Sequence, residues 1–263
     1  MKTSLSIIIP TWNTSATTLK CVQSLKKYLK NFPYEIIIVD NASTDKTEEI
    51  LKTEKGITYI KNKSNLGFGK ANNIGAKKAN GEYLFFLNSD MIAIDSSLIK
   101  MYQYLKNNPK IGIIGPKFLN IDKTPQGSVF PPQTALNAFR EYWLKQKTYS
   151  KYFPKTNNPT EVYSLSGGAM LISKKLFKKI GGWDKRYFMY FEDIDLCRQV
   201  REFSYKIYYY PKCQFIHRHG ASGKKLANSQ NQWRRLIPSS KIYHGTFKHY
   251  LINGIIWLSQ KLR

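Results

Sequence analysis

Hydrophobic residues along this chain fall into short unbroken runs, and most runs are followed by a stretch in which apolar residues recur at helical spacing. An unbroken apolar run is typical of a strand buried on both faces, as in a parallel sheet covered by helices. Strand and helix in alternation predict parallel neighbours joined by right-handed crossovers. The sequence therefore predicts an α/β fold. The predicted strands of this first part are Ser4–Pro10, Glu35–Asp40, Ile57–Ile60, Tyr83–Asp90 and Ile111–Pro116.

The apolar run from Tyr83 stops at Asn88-Ser89-Asp90, a polar triplet that ends in a carboxylate. Ligands of open α/β sheets bind beyond the carboxyl ends of the strands, so Asp90 is a candidate ligand-binding residue. Two other strand ends, Pro10-Thr11 and Asp40, would face the same crevice. Taken alone, the triplet is explained more simply by an ordinary turn, because all three residue types favour turns.

The loop Asn65–Gly69 precedes a small-residue helix predicted over Ala71–Ala79. Its glycines permit a close approach of the backbone to a ligand. The spacing matches neither the P-loop nor the dinucleotide fingerprint, so a generic tight turn explains it equally.

From Lys117 to Pro159 prolines interrupt the pattern, and a helix over about Thr134–Lys147 is the regular element predicted there. Such a stretch is typical of an insertion that helps to form a substrate site, and equally of an insertion without such a role. A strand is predicted over Ser164–Ile172, where Gly167 and Gly168 indicate a close approach to the backbone. A short helix over Lys174–Ile180 follows.

Glu192 and Asp193 open a predicted helix whose buried side carries Ile194 and Cys197. Acids in a first turn are stabilised by the helix macrodipole, which explains both without catalysis; a catalytic carboxylate is the alternative. Two short strands, Ile207–Tyr210 and Gln214–Ile216, then lead into His217-Arg218-His219. That triplet is either a solvated turn or the source of a metal ligand.

The C-terminal part predicts a helix over Gln230–Tyr250, followed by a tail whose apolar residues recur at helical spacing among Lys and Arg. The apolar run is too short to span a bilayer. It would either lie in the membrane interface or pack on the preceding domain. The residues of this stripe are Leu251, Ile255, Leu258 and Leu262.

Composition adds a strong positive charge: 42 Lys and Arg against 17 Asp and Glu give +25 over 263 residues. Such a surface attracts a polyanion. The lysines are spread along the chain and no nucleic-acid-binding motif is present, which favours an anionic membrane or a diphosphate over nucleic acid. Three cysteines without a close pair argue against a disulfide framework or structural zinc, and the N-terminus lacks the pattern of a leader peptide. We therefore expect a cytoplasmic protein.

Four segments occur in a familiar order: IIIPTWN, IIIVDNASTD, NLGFGKANN with FLNSD, and GGWDKRYFMYFEDIDLCRQ followed by a histidine. Together they resemble the family 2 glycosyltransferases, inverting enzymes with a GT-A fold, and within them the rhamnosyltransferase-like branch. The resemblance spans about Leu5 to Gly220. It implies a catalytic domain over 1–225, with a nucleotide-sugar-binding half over about 1–116 and an acceptor and catalytic half over 117–225. A helical extension would cover 226–263, outside the resemblance.

The resemblance also implies which residues hold the donor. Asp40 would accept a hydrogen bond from the pyrimidine N3–H, and Asp90 would bind a divalent metal, Mg²⁺ or Mn²⁺, that bridges the diphosphate. Asn88 departs from the aspartate that many members carry, which lowers the charge of the site. The residues implied for donor binding are Pro10, Thr11, Asn13, Asp40, Asn41, Asn65, Gly67, Asn72, Asn88, Ser89 and Asp90.

For the chemistry, the resemblance implies that Asp193 is the general base for the acceptor hydroxyl, with Glu192 as the alternative. His217 would complete the metal's ligands or contact the diphosphate, and His219 is the second choice. The pocket where sugar and acceptor meet would be shaped by Gly167, Gly168 and Trp183, the indole offering a flat face to a sugar ring.

The implied donor is a dTDP- or UDP-sugar, with rhamnose as one candidate sugar, and the implied acceptor is a glycan or a lipid-linked glycan at the cytoplasmic face of a membrane. An inactive nucleotide-sugar or glycan-binding protein of the same fold is the alternative that Asn88 suggests. The presence of both Asp90 and Asp193 speaks against it. Nucleic-acid binding through bulk charge is a third class, which would show a steep salt dependence.

Overall fold

A computed structural model describes residues 3–218 and 233–262 of the chain. The strands are β1 (Leu5–Thr11), β2 (Tyr34–Asp40), β3 (Ile57–Lys61), β4 (Tyr83–Leu87), β5 (Met91–Ala93), β6 (Ile111–Leu119), β7 (Pro125–Gln126), β8 (Val129–Phe130), β9 (Thr160–Glu161), β10 (Ser164–Leu165), β11 (Ala169–Ser173) and β12 (Lys206–His217). The helices are α1 (Ser15–Tyr28), α2 (Thr47–Thr53), α3 (Phe68–Lys78), α4 (Ser97–Asn107), α5 (Ala135–Leu144), α6 (Lys174–Lys179), α7 (Glu192–Glu202), α8 (Trp233–His244) and α9 (Thr246–Lys261).

The central sheet runs in the order β3-β2-β1-β4-β11-β6-β12-β5. The first four strands are mutually parallel, and β6 is parallel to β12. Strand β11 lies antiparallel between β4 and β6, and β5 is antiparallel to β12. The predicted α/β class with a mostly parallel sheet is confirmed. Because β1, β2 and β4 are parallel, their carboxyl ends meet at one edge of the sheet.

Helices cover both faces of this sheet, which explains why the strands are apolar without alternation. Ile7 and Ile9 of β1 belong to a core cluster with α1 and α4, whereas Ile8 belongs to a second cluster with α3 and α7. Successive side chains of a strand point to opposite faces of the sheet, so a strand covered by helices on both faces needs apolar residues at every position. Burial of each such side chain contributes roughly 1.5–3 kcal/mol. The three cysteines are free and buried, as small core residues.

Three predicted strand boundaries were wrong. Strand β4 ends at Leu87, so residues 88–90 form a turn. The single strand expected over Ser164–Ile172 is interrupted before Ala169, giving β10 and β11. The two short strands expected after Tyr205 are one strand, β12, with a register shift between Tyr210 and Gln214.

The C-terminal helix is also divided. Gly245 adopts a φ of +79°, a left-handed conformation that ends α8 before α9 begins. Helix α9 packs against α5, where the Trp143 indole N–H donates to the Ile255 carbonyl at 3.0 Å. The Ser239 hydroxyl of α8 donates to the Met189 carbonyl at 2.7 Å. The predicted start of this segment, residues 230–232, lies outside the described residues. Within the described ranges, none of the helices is long and apolar enough to cross a bilayer.

Candidate active site

A cavity of about 650 Å³ lies beyond the carboxyl ends of β1 and β4. Its walls come from the first half of the chain, from the segment between β6 and α7, and from the two C-terminal helices. Most of the residues singled out in the sequence line this single cavity. They are Pro10, Thr11, Asn41, Asn65, Gly67, Asn88, Ser89, Asp90, Gly167, Gly168, Glu192, Asp193 and His217.

Asn13 and Asp40 do not line the cavity. The Asn13 side-chain oxygen accepts hydrogen bonds from the backbone N–H groups of Thr44 and Asp45, at 2.7 and 3.2 Å, and so holds the loop after β2. Asp40 is fully buried. Its Oδ1 accepts from the backbone N–H and hydroxyl of Ser43, at 3.0 and 2.5 Å.

The other oxygen of Asp40 is also engaged, because the Tyr59 hydroxyl donates to Oδ2. In this structure the carboxylate of Asp40 fixes the loop that carries Asn41, a neighbour that lines the cavity. The expected contact of Asp40 with a pyrimidine N3–H stays a prediction.

Trp183 and Asn72 lie behind the cavity wall. The Trp183 side chain is 1% exposed and packs edge-to-face on Phe68 and Phe86, at centroid separations of 5.3 and 5.2 Å. Asn72 is fully buried and its amide donates to the Phe68 carbonyl at 3.2 Å. The flat face that Trp183 was expected to offer to a sugar is therefore covered in this structure. Both residues support Phe68, which lines the cavity.

The Asn65–Gly69 loop is held by its own polar groups. The Asn65 side-chain oxygen accepts from the Gly67 N–H at 3.0 Å, and the Asn41 amide donates to the Gly67 carbonyl at 3.2 Å. Gly67 has a φ of +83° and a ψ of −179°, a region open to glycine. A Cβ there would lie 2.2 Å from the Phe188 carbonyl oxygen. The close approach expected of this glycine is made by backbone from the segment that precedes α7.

Asp90 and His217 come together at the base of the cavity, with 3.4 Å between Asp90 Oδ1 and His217 Nε2. His217 Nδ1 lies 2.6 Å from Gln126 Oε1. Gln126 Nε2 donates to Asn120 Oδ1 at 2.9 Å, which orients the amide so that its oxygen faces the ring. With this orientation the Gln126 oxygen accepts a hydrogen bond from His217 Nδ1–H, which leaves Nε2 as the nitrogen that faces Asp90. His219 lies outside the described residues.

This pair fits a divalent metal only as a partial set of ligands. Among residues 3–218 and 233–262, no group of three or more His, Cys, Asp or Glu side chains is placed to hold an ion. Mg²⁺ is commonly bound by one or two carboxylates together with substrate phosphates and water, and carboxylate oxygen also suits Mn²⁺. Asp90 and His217 therefore suit a metal that arrives with a diphosphate.

Glu192 and Asp193 stand at the start of α7, directly after Tyr190 and Phe191. Both aromatic residues have positive φ, +73° and +66°, a conformation that is uncommon outside glycine and that accumulates at functional sites. Asp193 Oδ2 accepts a hydrogen bond from the Gly167 N–H at 2.9 Å. Burial raises the pKa of Asp193, while the Gly167 hydrogen bond opposes that shift.

Glu192 is 7% exposed, and its Oε2 has no hydrogen-bond partner among the described residues. Burial, with a further contribution from the charge of Asp193, raises the pKa of Glu192 to about 8. Two adjacent carboxyl groups in one cavity thus differ in environment. Such a difference separates the roles of paired acids in many active sites.

Several lining residues escaped sequence analysis. Lys151 and Tyr149 come from the irregular part of the 117–159 segment, where no periodicity marked them, and Tyr142 lies in the predicted helix of that segment. Gln126 belongs to the same segment. Ile252, Asn253 and Ile256 of α9 also line the cavity, although the extension lay outside the resemblance. In α9, residues 249, 252, 256 and 259 recur at helical spacing, and this spacing could have predicted the side of the helix that lines the cavity. The sequence analysis considered only the apolar stripe that contains Leu251.

Comparison with known proteins identifies the family of this α/β domain. Residues 6–181 match the model described as glycosyl transferase family 2, which is more than half of the chain. The chain therefore belongs to glycosyl transferase family 2. Residues 147–220 also match a model described as the N-terminal domain of galactosyltransferase.

Two relatives support the predicted branch. The chain is 24% identical over 208 residues to an N-acetylglucosaminyl-diphospho-decaprenol L-rhamnosyltransferase of Mycobacterium tuberculosis, covering 70% of this chain and 66% of that protein. It is 28% identical over 214 residues to the rhamnosyltransferase WbbL of Escherichia coli, covering 73% and 78%. The prediction of a rhamnosyltransferase-like family 2 member is confirmed. The chain spans 59% to 66% of the length of the first curated relatives it matches.

A solved structure supports the fold. The crystal structure of GalNAc-T7 with UDP, GalNAc and Mn²⁺ superposes with a TM-score of 0.66 at 18% sequence identity, covering 90% of this chain and 47% of that one. At this identity the match shows the fold alone. The predicted GT-A architecture is confirmed.

Proposed function

We propose that this protein transfers a sugar from a nucleoside diphosphate sugar to an acceptor hydroxyl, with inversion at the anomeric carbon. The observation that carries the proposal is that Asp90 with His217 and Asp193 with Glu192 line one cavity. A transferase of this kind needs groups for a leaving diphosphate and a base for an attacking hydroxyl. Groups suited to both tasks line the same cavity.

The donor would lie against the residues of the first half of the chain that line the cavity. Asp90 and His217 would hold a divalent metal together with the donor's diphosphate. Such a metal supplies positive charge against the negative charge that develops on the leaving group. Gln126 fixes the His217 ring for this role through its contact with Nδ1.

Asp193 would take the proton from the acceptor hydroxyl. The acceptor oxygen forms a bond to the anomeric carbon as the bond from that carbon to the diphosphate oxygen breaks, and the electron pair leaves with the nucleoside diphosphate. The Gly167 hydrogen bond holds one oxygen of Asp193 and leaves lone pairs for the proton. Glu192, whose pKa is raised by burial and by the charge of Asp193, would be the protonated member of the pair and donate a hydrogen bond to the acceptor.

Rhamnose is the donor sugar that the names of the mycobacterial and Escherichia coli relatives favour, carried on dTDP or UDP. The mycobacterial name also favours a lipid-linked glycan acceptor. An acceptor of this kind is presented at a membrane, so we place the protein peripherally on the cytoplasmic face.

The outer face of α5 and α9 supports membrane contact. Exposed apolar residues recur at positions 247, 250, 251, 257 and 258 on one stripe of α9 and at Leu262 directly after it. The neighbouring α5 also has exposed apolar residues, Leu136, Phe139 and Leu144. Lysines accompany this stripe: Lys261 and Lys241 lie over the rings of Trp257 and Tyr250, each at 4.7 Å. Apolar side chains flanked by cations suit an anionic interface. The opposite stripe of α9, with Ile252 and Ser259 buried, packs on the domain.

The test is a panel of nucleotide sugars with Mn²⁺ and short-chain acceptors, comparing the wild-type chain with Asp193→Asn. We expect transfer by the wild type and a loss of about 10²- to 10⁴-fold in kcat for the variant, because a general base contributes about that much. Nucleotide affinity should be unchanged in the variant.

The second candidate function is a catalytically inactive nucleotide-sugar-binding protein, favoured by Asn88 where many family members carry a carboxylate. Tight nucleotide binding with no transfer from any donor in the panel would establish it and refute the enzyme proposal.

A further inference from the structure

Lys151 is a cation in the cavity to which the proposed chemistry gives no role. It lies between α5 and β9, in a loop held firmly by Glu141. The Glu141 Oε2 accepts hydrogen bonds from the backbone N–H groups of Thr148, Tyr149 and Ser150, at 2.8, 2.6 and 2.9 Å. Burial raises the pKa of Glu141, but these hydrogen bonds more than offset it, so the pKa is lowered. Glu141 therefore stays ionised as the anchor of this loop.

The chain on the other side of Lys151 is equally fixed. Tyr152 pairs with Val129 in both directions, through N–H to carbonyl hydrogen bonds of 3.0 and 2.9 Å. A lysine between two such anchors has a backbone of defined position. Its ammonium lies 5.4 Å from the centroid of the Phe130 ring, which also lines the cavity.

Within residues 3–218 and 233–262, Lys151 forms no ion pair with a carboxylate. Desolvation by the surrounding protein lowers the pKa of Lys151, and the charge of Asp193 opposes that shift. Lys151 and Asp193 line the same cavity, in which the acceptor's hydroxyl would be deprotonated. A cation in a concave site without a carboxylate partner is suited to an anionic ligand.

We propose that Lys151 binds a phosphate group carried by the acceptor, close to the hydroxyl that is glycosylated. This inference rests on the proposed function, since it takes Asp193 as the residue that faces the acceptor. Phosphate fits because it offers several strong acceptor oxygens to an ammonium. The phosphate has two possible sources, an isoprenyl-phosphate carrier and a soluble polyol phosphate.

The experiment uses the full chain with UDP or dTDP and Mn²⁺ already saturating, so that donor-side groups are occupied. Geranyl phosphate and glycerol 3-phosphate are then titrated by calorimetry, with geraniol and glycerol as uncharged controls. The variants are Lys151→Met, Lys151→Arg, and Lys155→Met as an exposed, charge-matched control outside the cavity.

We expect the phosphate probes to bind the nucleotide-loaded chain, with affinity at least about tenfold weaker in Lys151→Met, restored in Lys151→Arg and unchanged in Lys155→Met. The tighter of the two probes identifies the source of the phosphate. Equal affinity in Lys151→Met and wild type, or absence of binding by both phosphates, would overturn the inference. Binding of the probes only when the nucleotide is left out would also overturn it, because Lys151 would then serve the donor.

The same samples also test the proposed function separately, through nucleotide binding. If UDP and dTDP with Mn²⁺ do not bind the wild-type chain, the donor assignment fails. Titration of the phosphates without nucleotide then still tests whether Lys151 is an anion site. The thermal midpoint of each variant checks that the fold is retained; a change is not expected, since the Lys151 side chain is exposed toward the cavity.

Discussion

Asp90 and Asp193 line the same cavity although one follows a strand of the first half and the other opens a helix of the second. Asp90 sits in the turn after β4, and Asp193 is tied by its carboxylate to Gly167, just before β11. Strands β4 and β11 are hydrogen-bonded neighbours. The antiparallel strand β11 thus brings the second half of the chain beside β4, and the two residues line one cavity as a result.

The first prediction concerns Glu192 and the pH dependence of stability. Burial raises the pKa of Glu192 to about 8 in the folded chain, above the ordinary value of 4.5 that the group regains on unfolding. Between these pH values the unfolded state binds fewer protons, so the free energy of unfolding falls as pH rises. Glu192→Gln removes the contribution of this carboxyl group to the pH dependence of the free energy of unfolding. Urea unfolding at pH 5, 6, 7 and 8 should therefore show a shallower fall for the variant than for the wild type.

The matched control for this experiment is Glu49→Gln, which removes an exposed carboxylate of α2. It should reproduce the wild-type dependence on pH. Asp193 and Tyr190, the ionisable neighbours of Glu192, are unchanged in both variants. Parallel curves for the wild type and Glu192→Gln would contradict the raised pKa.

The second prediction concerns Gln126. Because its oxygen fixes His217 Nδ1, Gln126→Leu should let the ring rotate and weaken Mn²⁺ binding by about 10- to 100-fold in the presence of UDP or dTDP. The signal of free Mn²⁺ in electron paramagnetic resonance measures this without turnover. Gln126→Glu keeps an acceptor oxygen and should recover most of the affinity. Gln103→Ala, on the exposed side of α4, should have none of these effects. Wild-type Mn²⁺ affinity in Gln126→Leu would show that His217 does not need this contact.

The third prediction concerns the outer face of α5 and α9. Truncating α9 would also remove the cavity-lining residues Ile252 and Ile256, so point substitutions are the cleaner test. Replacing Phe247, Tyr250 and Trp257, which are 80%, 60% and 53% exposed, by serine should reduce flotation with anionic vesicles by at least about tenfold. Ile121→Ser, at a 68% exposed site far along the chain, is the control. Undiminished flotation of the triple variant would rule out this face as the membrane contact.

The sequence could predict much of this fold because its signals were local. Unbroken apolar runs predicted β1, β2, β3, β4 and β6, since a strand covered on both faces must be apolar throughout. The antiparallel insertion of β11 could not be read in this way, because the order of strands in a sheet depends on contacts between distant segments. The break at Gly245 was missed since Gly is compatible with either a helix interior or its end.

The candidate site was predictable where polar residues follow a strand, as with Asn88, Ser89 and Asp90, or open a helix, as with Glu192 and Asp193. Lys151 and Gln126 carried no such signal, because their segment has no periodicity and their positions depend on the Glu141 anchor and on β7. Trp183 illustrates the opposite error. Its residue type suits a sugar-binding face, but the neighbouring Phe68 and Phe86 enclose it in the core.

The last prediction concerns Gly67, where backbone conformation and packing act together. In Gly67→Ala the new Cβ would meet the Phe188 carbonyl oxygen at 2.2 Å, and the φ of +83° is itself unfavourable for alanine. The Phe188 backbone must then move, and we expect the free energy of unfolding to fall by more than about 3 kcal/mol. Gly181→Ala is a control for a positive φ, since its φ is +84° but nothing lies within 4 Å of the new Cβ. It should cost about 1–2 kcal/mol, the conformational part alone. Urea unfolding measures both, and equal losses would show that the contact with Phe188 contributes nothing beyond the backbone angle.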